Sequence, residues 1–250
     1  MLQLLTYLTS KLTTNQKKFA AEVIGTFIVV VFATGSVVID AKLNGRLGVS
    51  FIAFAPCVGV AIGIYLFGRI SMANFNPAVT VGFLITRHIR MVQFVSYLTA
   101  EITGALLGSL FVKYAIGAEA NLGANTPNYI YPIPVIFGTE VMASAFLMSV
   151  IFIVVYTKGL KGFGGIAIGG MVGIDIFFLS FISGVSMNPA RSLAPALLSG
   201  AMGSLWLYWT ATFVGTSIIA YLFRKNSLPS NRLKDLKIYE DDFFTSFFIL

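Results

Sequence analysis

The sequence has one cysteine, Cys57, and one histidine, His88. A single thiol excludes a disulfide within the chain and gives no reading of redox compartment. The lone histidine lies in Thr86-Arg87-His88-Ile89-Arg90, outside every long apolar run, and no HExxH, GxSxG or paired-carboxylate arrangement occurs. No catalytic residue, metal ligand or cofactor is therefore assigned, and an intramembrane enzyme is disfavoured. Charge is also scarce: only 11% of residues are Asp, Glu, Lys or Arg, against 57% hydrophobic residues and a mean hydropathy of +0.86. That balance excludes an ordinary soluble surface.

What the chain has instead is apolar length. Six runs, at about 19–39, 47–67, 92–115, 133–156, 163–182 and 204–223, each approach the roughly 20 residues that cross a bilayer as helix. They are continuously apolar rather than alternating, which predicts helices and not a barrel. In residues 1–18 the positive charges (Lys11, Lys17, Lys18) follow the Leu-rich stretch, opposite to the order of a secretory signal.

A net charge of +7 by itself suggests a nucleic-acid partner. Its placement points to topology instead. With the N-terminus inside, the inner segments hold Lys11, Lys17, Lys18, Arg69, Arg87, Arg90, Lys158, Lys161, Arg224, Lys225, Arg232, Lys234 and Lys237, and the outside keeps only Lys42, Arg46, Lys113 and Arg191. Both termini are expected in the cytoplasm. The expected organisation is a cytoplasmic segment 1–18, a membrane domain 19–224 and a cytoplasmic tail 225–250, basic then acidic, read as solvated with weak interfacial affinity.

The membrane domain contains one unit twice, at about 19–115 and 133–224. Each unit opens with a glutamate in an apolar helix, Glu22 and Glu140, and each reaches Asn-Pro-Ala after its second span, at Asn76, Pro77, Ala78 and at Asn188, Pro189, Ala190. Three crossings per unit make the second copy enter from the opposite side, an inverted repeat. Small residues at four-residue spacing, Ala55, Gly59, Gly63 and Gly165, Gly169, Gly173, suit close helix crossing, or reflect the abundance of glycine in membrane helices.

The segments after each motif are too short to cross. Asn at the N-cap followed by Pro at the first helical position starts a helix, and about ten residues rise roughly 15 Å, half the hydrocarbon core. Two such half-helices from opposite faces meet N-terminus to N-terminus at the midplane. Irregular backbone at that depth must be buried or line a wet path. Positive helix ends repel cations there, while unbonded backbone N–H groups and the Asn76 and Asn188 amides offer donors to passing molecules. A water accepting from both amides cannot relay a proton.

Taken together, the two glutamate-bearing helices, Asn-Pro-Ala-Val-Thr, Ser-Gly-Val-Ser-Met-Asn-Pro-Ala-Arg-Ser and Leu-Trp-Leu-Tyr-Trp resemble the aquaporin and aquaglyceroporin (major intrinsic protein) family over about 19–224. The resemblance implies an all-α, aquaporin-like membrane fold of six transmembrane helices and two re-entrant half-helices. It implies a homotetramer in the plasma membrane with one pore per subunit, conducting passively without cofactor, Glu22 and Glu140 bracing the motif loops. Carried over, the family's selectivity filter becomes Pro56, Ile176, Val185 and Arg191.

Arg191 supplies a permanent charge and hydrogen-bond donors near the outer mouth. The other three are apolar, and the filter histidine of water-selective members has no counterpart. Pro56 in an aromatic's place gives a wider, greasier constriction, or leaves Phe54 or another side chain to fill the gap. Ser192, Ala196 and Tyr208-Trp209 resemble the water branch, so water ranks first, with glycerol, ammonia, hydrogen sulfide and carbon dioxide as further small neutral solutes. Glu101 stands where the family often has glutamine, and Met72 and Asn74 replace its usual Gly and His. For Asp175, contact with the pore mouth and pairing with a local partner are equally open. An ion-coupled secondary transporter would need titratable groups at the midplane, where this chain has amides. A junctional, non-conducting member of the family is the other alternative.

Overall fold

The computed structural model describes residues 12–157, 159–160 and 162–227. Residues 228–250 of the expected tail 225–250 and residues 1–11 of the segment 1–18 lie outside the described residues. Helix α1 spans Thr14–Lys42, so the first helix begins ahead of its apolar run and takes in Lys17 and Lys18. Thr13 caps it, its hydroxyl accepting from the Gln16 N–H while the Gln16 side chain accepts from the Thr13 N–H at 2.8 Å. Helix α2 is Gly48–Ser71, α3 Pro77–Ile85, α4 Met91–Phe111, α5 Ile133–Tyr156, α6 Gly164–Ser183, α7 Pro189–Ser199 and α8 Leu205–Ser227. No strand occurs among the described residues.

Six of these helices are long and apolar enough to cross a membrane, while α3 and α7, of 9 and 11 residues, are not. The half-helices exchange partners between repeats. The first, α3, packs on α8 of the second repeat, and α7 packs on α4 of the first. Each repeat is completed by a piece of the other, so neither closes a core alone.

Close crossings rest on particular glycines. A Cβ at Gly104 on α4 would run into the Val23 carbonyl of α1, and one at Gly215 on α8 into the Val141 carbonyl of α5. These are equivalent places in the two repeats. The small-residue expectation for the second helix of each unit holds in part, since Gly165 receives the ring of Tyr65. Gly169 and Gly173 bring α6 onto the backbone of Cys57 and Ala53 in α2, but Gly59 and Gly63 receive the rings of Phe32 and Phe75. At Gly59, Gly63 and Gly165 the missing side chain makes room for an aromatic rather than for a helix backbone.

Candidate functional site

The half-helix starts follow from their caps. Asn76 and Asn188 are extended (φ −157° and −143°), and each side-chain oxygen accepts from its own helix: Ala78 N–H at 2.9 Å in α3, Ala190 N–H at 3.0 Å and Arg191 N–H at 3.3 Å in α7. The side-chain nitrogens reach across the repeat boundary. Asn76 Nδ2 donates to the Met187 carbonyl at 2.7 Å, and Asn188 Nδ2 to the Phe75 carbonyl at 2.8 Å. The two helix N-termini therefore meet through reciprocal bonds. This corrects the donor count expected from the sequence, because Ala78, Ala190 and Arg191 spend their N–H groups on the caps. Each amide keeps its second hydrogen for a passing molecule.

The loops before the motifs are folded unusually. Met72, Ala73 and Phe75 have φ of 76°, 53° and 52°, and Val185 and Met187 have 31° and 55°, all left-handed for residues other than glycine. Each such residue costs on the order of 1–3 kcal/mol and persists only where its surroundings fix it. Buried glutamates supply much of that fixing. Glu22 accepts from the N–H of Asn74 at 3.1 Å and of Phe75 at 2.8 Å; Glu140 accepts from Ser186 at 3.0 Å and from Met187 at 3.4 Å. Tyr97 and Tyr208 do the same for the helix ends, donating to the carbonyls of Ser71 and Ser183 at 2.7 and 2.6 Å.

A cavity of about 90 Å³ runs past both motifs. Its wall includes Asn76 and Asn188 at the junction, and Pro56, Ile176, Val185 and Arg191, all four positions carried over as a filter. Asn74, Phe75, Ser186 and Met187 of the loops also line it, and Val60, Ile64, Val155 and Ile168 continue it as an apolar passage. Phe54, the alternative to Pro56, does not fill the gap: it is 66% exposed on the outside of α2. Asp175 is buried and absent from the cavity wall, and its Oδ2 has no hydrogen-bond partner. Among the described residues, then, it neither lines this cavity nor finds a partner for Oδ2.

Arg191 is oriented by a segment that sequence reasoning passed over. Its Nη1 donates to the Gly123 carbonyl at 3.0 Å and to Asn125 Oδ1 at 2.6 Å. Asn125 also accepts from the Ser192 hydroxyl at 2.8 Å, and its amide donates to the Gly184 and Val185 carbonyls. One asparagine thus ties the arginine to the loop that carries Val185. Gly123 (φ 68°) approaches Thr34 so closely that a Cβ would overlap its backbone. Nothing local marked Asn125 among the neighbouring Asn121 and Asn128.

At the other end of α3, His88 joins elements. Nδ1 meets the Thr86 hydroxyl at 2.6 Å, Nε2 meets the Tyr156 hydroxyl of α5, and the ring packs edge-on against Phe83. Burial pushes its pKa down to about 4.

Two re-entrant helices meeting by their capping asparagines, inside six spanning helices, form the arrangement that the motifs foretold, and residues 9–223 match the family profile described as Major intrinsic protein. The chain belongs to the major intrinsic protein family. Among relatives, it is 30% identical to the rice Aquaporin NIP1-2 of Oryza sativa subsp. japonica over 229 residues, covering 86% of this chain and 73% of that protein. It is 34% identical to Glycerol uptake facilitator protein-like 6 of Lactiplantibacillus plantarum over 214 residues, covering 83% and 97%. In fold it resembles the aquaglyceroporin from Plasmodium falciparum, with a TM-score of 0.74 at 20% identity over 88% of this chain and 99% of that one. As a major intrinsic protein, the chain is a multi-pass membrane channel for water and small solutes, and not an enzyme.

Proposed function

We propose that this channel conducts water first and small neutral solutes such as glycerol and ammonia second, while excluding protons and ions. The observation that carries the reading is a cavity whose wall holds both capping asparagines and Arg191. Arg191, its guanidinium fixed by Gly123 and Asn125, is the cation barrier of the outer constriction and a donor to solute oxygens. Pro56, Ile176 and Val185 form its apolar side, and none of the three is aromatic or an imidazole, which supports passage of solutes larger than water. At the junction, the Asn76 and Asn188 amides each keep one hydrogen, and two donors acting on one water oxygen turn that water's hydrogens outward and interrupt proton transfer. Glu22 and Glu140 brace the two loops. The protein works as a homotetramer of self-contained pores in the plasma membrane, both termini cytoplasmic, with 19–224 as the channel domain.

Stopped-flow light scattering on proteoliposomes tests this. Water and glycerol permeability above the lipid blank, with no dependence on an imposed ion gradient, is the expected result. Flux that requires an ion gradient would overturn the channel reading in favour of coupled transport, and no flux of any solute would favour a junctional role.

A further inference from the structure

Glu101 of α4 is fully buried and outside the cavity wall, yet it is bonded to Asn76 of that wall and, through Thr80, to Asn74. The offset that carries Tyr97 to Tyr208 and Gly104 to Gly215 carries Glu101 to Thr212. Thr212 turns its hydroxyl back to the Tyr208 carbonyl of its own helix at 2.6 Å. The carboxylate is thus a feature of the first repeat alone. Its Oε1 accepts from the Asn76 N–H at 3.2 Å and from the Thr80 hydroxyl at 2.5 Å, and Thr80 Oγ1 accepts from Asn74 Nδ2 at 2.9 Å. Asn74 and Asn76 both line the cavity.

This chain of bonds ends badly at both extremities. Glu101 Oε2 and Asn74 Oδ1 are buried acceptors with no donor. The orphan at the Asn74 end lacks a donor because every hydrogen in the chain points toward the carboxylate. A proton on the carboxyl reverses the chain and relieves Asn74 Oδ1, while Glu101 Oε2 stays without a donor. The acid donates from Oε1 to Thr80 Oγ1, Thr80 turns its hydroxyl toward Asn74, and the Asn74 amide turns over so that its oxygen accepts; Oε1 still accepts the Asn76 N–H. With the proton gone, the chain runs the other way, from Asn74 through Thr80 to the carboxylate.

We propose that Glu101 is a positioning residue of the pore, whose proton sets the direction of the Glu101–Thr80–Asn74 chain and so which end of the pore-lining Asn74 amide is left free, making conduction pH-dependent. The titratable groups that face Glu101 are Glu22 from α1 and Tyr97 from its own helix; α3 brings none, and Arg191 of α7 is turned to Gly123 and Asn125. The inference rests on the channel reading above.

The test is stopped-flow water permeability of reconstituted full-length protein, with equal pH on both sides, from about pH 5 to about pH 9. Wild type is expected to pass between two plateaus. Glu101→Gln, a neutral donor and acceptor, is expected to lose the transition and stay at the wild-type low-pH plateau. Thr80→Val keeps the carboxyl but cuts the chain, and is expected to lose the transition too. A wild type flat across the range, or either variant that retains the transition, overturns the proposal. If Glu101→Gln fails to assemble, Glu101→Thr, which installs the second repeat's residue, takes its place. Flux above the lipid blank but flat with pH refutes only this inference, whereas no flux in any sample refutes the channel reading itself.

Discussion

Single residues set the channel's barriers. Arg191 is 8% exposed and held by two acceptors, so its charge sits at a fixed place in the wall. Arg191→Val removes the charge and the donors together. It is expected to raise glycerol permeability and proton or cation leak by several-fold, on the order of the loss of one charge barrier of about 1–2 kcal/mol. Solute-flux and dye-leak assays on the same liposomes check this, and unchanged values for both would displace Arg191 from the barrier. His88 makes a different kind of prediction. Its pKa falls from 6.5 to about 4 in the fold, so the folded protein keeps the ring neutral while the unfolded chain takes up a proton. The stabilisation is complete above pH 6.5 and is lost as pH falls toward about 4. Melting temperature in detergent should be level above that window and decline through it, and His88→Gln should remove part of the decline.

At the scale of elements, the crossings depend on absent side chains. Gly215→Val drives a side chain into the Val141 carbonyl, and backbone cannot yield as a flexible side chain does. A cost of about 1–3 kcal/mol or more is expected, seen as a lower melting temperature and poor recovery of assembled protein. Gly138, on the neighbouring α5, offers the contrast: a Cβ there meets nothing within 4 Å. Gly138→Ala should be neutral or stabilise by about 0.5–1 kcal/mol, because it only removes helix-interior glycine. The glutamate braces belong to this scale as well. Glu140→Leu strips Ser186 and Met187 of their acceptor while Val185 and Met187 remain left-handed, and a loss of about 3–5 kcal/mol is expected. That loss should appear as failure to recover folded channel, where Glu140→Gln, which retains an acceptor, recovers it in part.

For the whole molecule, the inverted repeat means that the half-helices are supported from the opposite unit. Since α3 packs on α8 and α7 on α4, neither half should fold as a stable unit. Expressed separately, the two halves are expected to be degraded. Co-expressed, they should recover flux in proteoliposomes. The proposed homotetramer is checked by native mass spectrometry of detergent-purified protein, with a mass near four times 27.0 kDa expected before detergent and lipid are counted.

The sequence by itself determined the fold class, because bilayer thickness converts apolar length into spans and Asn-Pro starts a helix wherever it is buried. The six spans, the two half-helices and their inverted relation were legible from residues 19–224 for that reason. Both glutamates stood out too, since an ionisable group in an apolar run is functional or paired, while their role as braces came from the family resemblance. Tertiary structure alone decided where each amide hydrogen goes, because the acceptors of Asn76 and Asn188 are the carbonyls of Met187 and Phe75, across the repeat boundary. It alone assigned Asn125 to Arg191, and Glu101 to Asn76, as such partners are far apart in sequence and carry no periodic signal. Periodicity reports which face of an element is covered. Only the packed chain fixes which distant donor meets which acceptor, and the specificity of the pore depends on those pairings.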